Sequence, residues 1–266
     1  MQNRSSMPVH FLFTSLVIFI LHIPFSIART KPLTGSSNPG NPPLVSGSAA
    51  SIVGLPPFNA KPELGALYDS LCLASAGLAR QVFNYAMLGY DVLKKAGKVA
   101  NEQVISIVDF SKPSGEKRLY VIDLARMKLL FKTYVAHGVN SGQAFARQFS
   151  NIPSSNRSSL GFYTTAATYQ GKHGQSLQLV GLEKGINDQA LKRSIVMHGA
   201  SYVNESLVRT KGFIGRSHGC PAVPENLSSP IIEKIKNGSL LLIYAPDPAY
   251  ARKSSLIKQS LNSAAG

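Results

Sequence analysis

The 266-residue chain carries 28 Lys and Arg residues against 13 Asp and Glu residues, a formal net charge of +15. Its apolar fraction of 44% is ordinary for a globular protein, which excludes a wholly disordered chain and a fibrous repeat. Only one apolar run is long enough to cross a membrane, so a multi-span membrane protein is also excluded. Two cysteines are too few for a disulfide-rich framework.

Residues 1–28 have the composition of a secretory signal peptide. Arg4 precedes a nearly continuous apolar run over residues 11–25, and Ser26 and Ala28 put small residues where signal peptidase reads the chain. The sequence therefore predicts export to the periplasm or cell envelope, with cleavage after Ala28. An uncleaved N-terminal anchor stays open as the alternative.

The strong positive charge bears on the partners of the protein. Residues 1–28 contain one basic residue and no acid, so cleavage would lower the net charge only from +15 to +14. Such a surface attracts polyanions. Because an exported protein rarely meets nucleic acid, we expect an anionic cell-envelope surface instead of nucleic acid, or a solvated basic surface with no partner. Nothing in the sequence indicates an obligate protein partner.

The composition changes twice before the main domain. Residues 29–62 are rich in Pro, Gly, Ser and Asn, which predicts a poorly ordered linker. Apolar residues then recur at steps of three and four over residues 63–100, which predicts a helical element of two helices interrupted near Gly77. Cys72 lies beside this apolar stripe, where a free cysteine acts as a small buried hydrophobe.

Residues 101–246 predict a mostly antiparallel β domain. Expected strands cover 104–110, 119–124, 129–135, 160–165, 177–182, 194–198 and 240–244. A helix is expected over 225–236, and residues 247–266 predict a loose C-terminal tail rich in Ser, Ala and Lys. The predicted fold class is mainly β with an N-terminal helical element, α+β overall.

Ser217-His218-Gly219-Cys220 is the strongest local signal for chemistry, because a cysteine in a glycine turn is not placed like a core thiol. Upstream, His198 ends an apolar run and precedes Gly199. This pair suits nucleophilic catalysis, since an imidazolium lowers the pKa of a nearby thiol from about 8.5 and then returns a proton to the leaving group. The amides of Gly219 and Cys220 would be placed to hold an oxyanion.

The residues alone leave two alternatives open. Cys220 could be a structural thiol, or it could pair with Cys72 in an oxidising compartment. It could also belong to a zinc site, although the spacing between His218 and Cys220 fits no common zinc pattern. The candidate zinc ligands are His198, His218 and Cys220, with either His173 or His137.

A longer pattern resembles the signature of the YkuD-type L,D-transpeptidases. It consists of His198-Gly199, a spacer of seventeen residues from Ala200 to Arg216, and then Ser217-His218-Gly219-Cys220. The stretches 135–138, 158–163 and 171–174 are similar to the murein L,D-transpeptidase subgroup, and the resemblance covers about residues 64–245. Ala222 stands where many members have Arg or Asn, and Ser158-Ser159-Leu160-Gly161-Phe162 replaces the family's T-P-x-G-x-F stretch.

The resemblance implies a β-sandwich-like catalytic domain with Cys220 as the acylated nucleophile and His198 as its base and acid. The carbonyl of Gly199 would orient the imidazole of His198. The residues implied to shape the cysteine turn and oxyanion hole are Ser217, His218 and Gly219. The candidate substrate contacts are His137, His173, Tyr163 and Arg216. No metal or other cofactor is implied.

The activity implied by the resemblance is peptidoglycan cross-linking. Cys220 would attack the carbonyl of the third residue of a tetrapeptide stem, release the terminal D-Ala and pass the acyl group to an amine, which makes a 3→3 link. Two alternatives remain. With water as the acceptor the protein would be an L,D-carboxypeptidase, and without chemistry it would be a non-catalytic cell-wall-binding protein on the same scaffold.

Overall fold

The computed structural model describes residues 62–258. The predicted signal peptide and residues 29–61 of the predicted linker lie outside this part of the chain, as do residues 259–266, and the expectations for them stay predictions. Within residues 62–258, no helix combines the length and the apolar character needed to cross a bilayer.

In the part of the chain that the structure describes, eight strands form a single mixed sheet. They are β1 Val104–Asp109, β2 Leu119–Asp123, β3 Lys128–Thr133, β4 Gly161–Gly171, β5 Gly174–Gly181, β6 Val196–Gly199, β7 Ala222–Val223 and β8 Leu240–Tyr244. Their order in the sheet is β3-β2-β1-β8-β4-β5-β6-β7. Neighbours are antiparallel except β1 with β8 and β6 with β7, which are parallel. All seven expected strands are present, and the two-residue β7 is the one that the sequence did not predict.

Within residues 62–258, five α-helices accompany the sheet. They are α1 Pro62–Ser70, α2 Arg80–Lys95, α3 Glu205–Lys211, α4 Glu225–Ile235 and α5 Pro248–Lys253. Every residue of β1 and β8 is buried, which explains their nearly unbroken runs of Val, Ile and Leu. Helix α2 packs on these two strands. A Cβ atom added at Gly89 would lie 2.1 Å from the Phe162 ring, so glycine lets α2 lie close against β4. The fold is mainly β with an N-terminal helical element, α+β overall, as predicted.

The two ends of the sheet approach each other. Just after β3, the amide of Ala136 donates a 2.8 Å hydrogen bond to the carbonyl of Ala222 in β7. Two residues later, Gly138 forms a second bridge with Ser217. The sheet therefore curls into a near barrel, and the segment that leads into Cys220 lies at the closure.

The start of the predicted loose tail is ordered, which corrects that expectation for residues 247–258. The Asp247 carboxylate accepts hydrogen bonds from the first amides of α5, and the side chains of Tyr250, Leu256 and Ile257 are buried. The hydroxyl groups of Tyr250 and Ser254 donate to the carboxylate of Glu183, which is itself buried. These buried contacts fix a segment whose composition alone indicates a loose chain.

Cys72 also differs from its prediction. The two N-terminal helices form as expected, on either side of a turn that contains Gly77 at a φ of +78°. Cys72 lies in that turn with a φ of +51°, and it is exposed. The expectation of a buried helical cysteine is therefore wrong, because the turn breaks the helical spacing on which the expectation depended.

Candidate active site

The histidine lies in β6, and the cysteine lies just before β7, the parallel neighbour of β6. His198 in β6 pairs in register with Ala222 in β7, and Cys220 lies two residues before Ala222. His198 and Cys220 both line an open cavity of about 630 Å³, which we call the Cys220 cleft. The wall of the cleft is completed by the β4–β5 turn, by residues 193–196 and by the loop that contains Arg216, Ser217, His218 and Cys220, which we call the Cys220 loop. The structure thus brings together two residues that are 22 positions apart in the chain.

The turn before Cys220 is held by the hydroxyl of Ser217. This hydroxyl accepts a 3.0 Å hydrogen bond from the amide of Gly219 and donates a 2.6 Å bond to the carbonyl of Cys220. Gly219 has a φ of +126°, and a Cβ atom there would lie 2.9 Å from the carbonyl oxygen of Arg157. Both the backbone conformation and the close approach therefore require glycine.

The same hydrogen bond corrects one expectation about the oxyanion hole. The amide of Gly219 already donates to Ser217, so it is not free to bind a substrate oxygen. Of the two amides expected in that role, the amide of Cys220 remains. Ser217 and Gly219 thus shape the turn, whereas the exposed side chain of His218 lines the cleft.

The sulfur of Cys220 points towards a backbone carbonyl. Its thiol donates to the carbonyl oxygen of Ser194 at 3.7 Å. Burial raises the pKa of the Cys220 thiol, while a hydrogen bond from the backbone of Val196 and the charge of Arg193 act in the opposite direction. The expectation of a lowered pKa is wrong for this arrangement, because burial outweighs the positive charges nearby. The raised pKa favours the neutral thiol form of this side chain.

His198 is buried and held in one orientation. Its Nδ1 lies 2.9 Å from the carbonyl oxygen of Gly199, so Nδ1–H donates there and Nε2 is left as an acceptor. Burial lowers the pKa of His198, and the nearby charges of His173 and Lys172 lower it further. A neutral imidazole with a free Nε2 is suited to accept a proton from a thiol.

The four candidate substrate contacts divide into two groups. His173 and Arg216 line the Cys220 cleft. His137 is fully buried between the guanidinium of Arg118, 2.8 Å from its Nδ1, and the carbonyl of Gly142.

Tyr163 is fully buried as well, and its hydroxyl donates to the carbonyl of Ser159. Neither His137 nor Tyr163 lines the cleft, so the expectation that these two contact substrate is corrected.

Arg193 is a residue of the cleft that sequence reasoning missed. Its guanidinium donates to the carbonyl oxygens of Ser150 and Arg157 and to the hydroxyl groups of Ser155 and Ser159. It follows an exposed Lys in a polar stretch and belongs to no motif, so the sequence held no signal for it. The next residue, Ser194, has a φ of +53°, a left-handed conformation that is uncommon for a residue with a side chain.

The two cysteines are both free thiols in the structure. Across residues 62–258, no group of three or more His, Cys, Asp or Glu side chains is arranged to hold a metal ion.

Comparison with known families identifies the family of the chain. The family model of the L,D-transpeptidase catalytic domain matches residues 74–244, well over half of the chain. The chain belongs to the L,D-transpeptidase catalytic domain family. The match contains both His198 and Cys220 and excludes α1 and α5. A search of curated proteins found no match.

The similarity to solved structures is only distant. An L,D-transpeptidase from Mycobacterium smegmatis is 13% identical with a TM-score of 0.34, and the match covers 54% of this chain and 59% of that one. The L,D-transpeptidase (Yku) from Stackebrandtia nassauensis is 14% identical with a TM-score of 0.33, and the match covers 70% of this chain and 77% of that one. The K307A mutant of the helical cell shape determining protein Pgp2 from Campylobacter jejuni is 12% identical with a TM-score of 0.39, and the match covers 68% of this chain and 61% of that one. The chain thus spans less than two thirds of the length of two of these three proteins.

Proposed function

We propose that the protein is an exported peptidoglycan L,D-transpeptidase that acts through an acyl-enzyme on Cys220. The observation that carries the proposal is the shared cleft of Cys220 and His198, in which the Gly199 carbonyl leaves Nε2 of His198 free to accept a proton. Membership of the L,D-transpeptidase family supports peptidoglycan as the substrate.

The first half-reaction transfers the stem peptide to the enzyme. The proton of the Cys220 thiol moves to Nε2 of His198 while the sulfur attacks the carbonyl carbon of the third stem residue. The amide of Cys220 stabilises the oxygen that becomes negative. The bond to the terminal D-Ala then breaks, the imidazolium protonates the leaving amine, and a thioester remains on Cys220.

The second half-reaction releases the product. An amine of another stem gives a proton to Nε2 of His198 and attacks the thioester carbonyl. The carbon–sulfur bond breaks, and the sulfur takes the proton back from the imidazolium. A diaminopimelate side-chain amine as the acceptor gives a 3→3 cross-link, whereas water as the acceptor gives the L,D-carboxypeptidase reaction.

The test uses the protein and a purified disaccharide-tetrapeptide. We expect release of D-Ala, a transient mass increase on Cys220 and a cross-linked dimer detected by mass spectrometry. The variant C220A should lose all three, and H198Q should lose about 10²- to 10⁴-fold in rate. Tripeptide without dimer would support the carboxypeptidase, and binding without D-Ala release by a folded protein would support the wall-binding alternative.

The proposed site of action requires export. Peptidoglycan lies outside the cytoplasmic membrane, and the predicted signal peptide over residues 1–28 would take the protein there. Mass spectrometry of the protein from the producing cells is expected to show an N-terminus at Arg29 in the envelope fraction. A full-length protein in that fraction would instead support the uncleaved anchor.

A further inference from the structure

The Cys220 cleft carries an unbalanced positive charge. Among the described residues that line it are three basic side chains, Lys172 at the tip of the β4–β5 turn, Arg193 and Arg216. No Asp or Glu is found among those lining residues. The adjoining cavity differs in this respect, because it is lined by an acid, Glu225, as well as by Lys172.

These three cations have no acidic partner in the described part of the chain. The ion pairs within residues 62–258 involve none of them. The guanidinium of Arg193 bonds only to carbonyl and hydroxyl oxygens, and its buried Nε has no hydrogen-bond partner. Arg216 bonds to the carbonyls of Val139 and Gly142. Neutral oxygens orient a guanidinium without neutralising it, so the cleft keeps its positive potential.

The positive potential reaches the two groups proposed to react. The charges of Arg193 and Lys172 both oppose the larger effect of burial on the pKa of Cys220, and the charge of Lys172 adds to the effect of burial that lowers the pKa of His198. A charged substituent close to the attacked carbonyl must experience the same field. Under the proposed function, that carbonyl belongs to the third stem residue, so its side chain is the one held beside these cations.

We propose that the Cys220 cleft selects donor stems whose third residue carries a free carboxylate on its side chain. This inference rests on the proposed function. Unmodified diaminopimelate ends in an ammonium and a carboxylate, which together carry no net charge. Amidated diaminopimelate and lysine both end in an uncompensated ammonium. Three cations and no acid attract the carboxylate of the first and repel the net positive charge of the other two.

The test compares three synthetic tetrapeptide stems that differ only in the third residue: diaminopimelate, diaminopimelate amidated on its side-chain carboxylate, and lysine. We expect kcat/KM for D-Ala release to be about tenfold higher for the free carboxylate than for the other two stems. The ratio should shrink as salt is added, because ions screen a partly exposed cleft.

Two variants test whether the cations of the cleft cause the preference for the free-carboxylate stem. K172Q and R216Q each remove one cation and should lower the ratio severalfold, chiefly by slowing the reaction of the free-carboxylate stem. K184Q removes an exposed lysine that does not line the cleft, and it should leave the ratio unchanged. Equal kcat/KM for all three stems, or a ratio that K172Q and R216Q do not change, would overturn the proposal.

A binding measurement separates this proposal from the proposed function. If the wild-type protein released D-Ala from none of the stems, the proposed activity would fail. Calorimetry of the same stems with C220A would still measure whether the free carboxylate binds about tenfold more tightly. Equal affinities, or no binding of any stem, would refute the selection by charge.

Discussion

The imidazole rings of His173 and His198 stack with their centroids 4.5 Å apart and their planes inclined by 22°. His173 lies in the two-residue turn between β4 and β5, whereas His198 belongs to β6, which pairs with β5. Two stacked imidazoles repel each other when both are protonated. The pair therefore adds to the effect of burial and keeps His198 neutral as the pH falls.

The stack makes a prediction about the pH dependence of activity. A base must be neutral, so kcat/KM is lost as the pH falls through the pKa of His198, and this acid limb is expected below pH about 6.5. H173F keeps an aromatic ring but removes the charge, so the pKa of His198 rises and the acid limb moves to higher pH. H218F is the matched control and should leave the limb in place. Equal shifts in both variants would contradict the role of the stack.

The second prediction concerns the thiol. Cys72 is exposed and would also react, so alkylation of Cys220 by iodoacetamide is best followed in C72A. Because burial raises the pKa of Cys220, the alkylation rate should show its inflection above the free-thiol value of about 8.5. R193Q removes a stabilising charge and should move the inflection to still higher pH, while R193K should restore part of the difference.

The control for this measurement is K192Q, which removes the exposed neighbouring charge and should not shift the inflection. An inflection below pH about 8.5 in C72A would show that burial does not dominate. An unchanged inflection in R193Q would show that Arg193 does not act on the thiol.

Ser217 is expected to matter for both activity and stability. S217A leaves the amide of buried Gly219 without its acceptor, which should cost about 1–3 kcal/mol of unfolding free energy in urea. Because the carbonyl of Cys220 also loses its donor, kcat/KM should fall about 10- to 100-fold as the turn shifts. H218A truncates an exposed side chain and should change stability by less than about 0.5 kcal/mol. Wild-type activity in S217A would show that the turn holds without the hydroxyl.

The C-terminal segment offers a test away from the cleft. Y250F removes a hydroxyl that donates to the buried carboxylate of Glu183 at 3.0 Å, and we expect a loss of about 1–3 kcal/mol of unfolding free energy. Hydrogen exchange should quicken over residues 247–258 in this variant. Y169F changes a partly exposed tyrosine in the same way and should be nearly neutral. Equal stability of Y250F and wild type would mean that the hydrogen bond from Tyr250 to Glu183 does not anchor the segment.

The strands were predictable because buried apolar runs and turn residues alternate along the chain, and β8 matches its expected bounds of 240–244. His198 and Cys220 were also recognisable, since glycine flanks both. His137 was expected to contact substrate but is buried outside the cleft, and its local sequence explains the error. His137 and His198 each end an apolar run and precede glycine, so the two segments are locally alike. Only the tertiary structure separates them, because it places the guanidinium of buried Arg118 against His137.

Other features of the site depend on contacts that no local pattern encodes. The occupied amide of Gly219 follows from the orientation of a single hydroxyl. Arg193 reaches the cleft from a polar stretch, and its acceptors come from residues 150–159, more than thirty positions earlier in the chain. Cys72 was misplaced because helical spacing was extended across a turn with positive φ.

The closure of the sheet links the Cys220 loop to the solubility of the protein. Ala222 pairs with His198 on one side and with Ala136 on the other, so the short strand β7 presents no open edge at that position. Uncovered strand edges recruit other chains and promote aggregation. A substitution that frees the Cys220 loop would expose backbone groups of both β7 and the segment after β3. Loss of the nucleophile's position and a tendency to aggregate should therefore arise together, which gives purification yield a direct bearing on the integrity of the site.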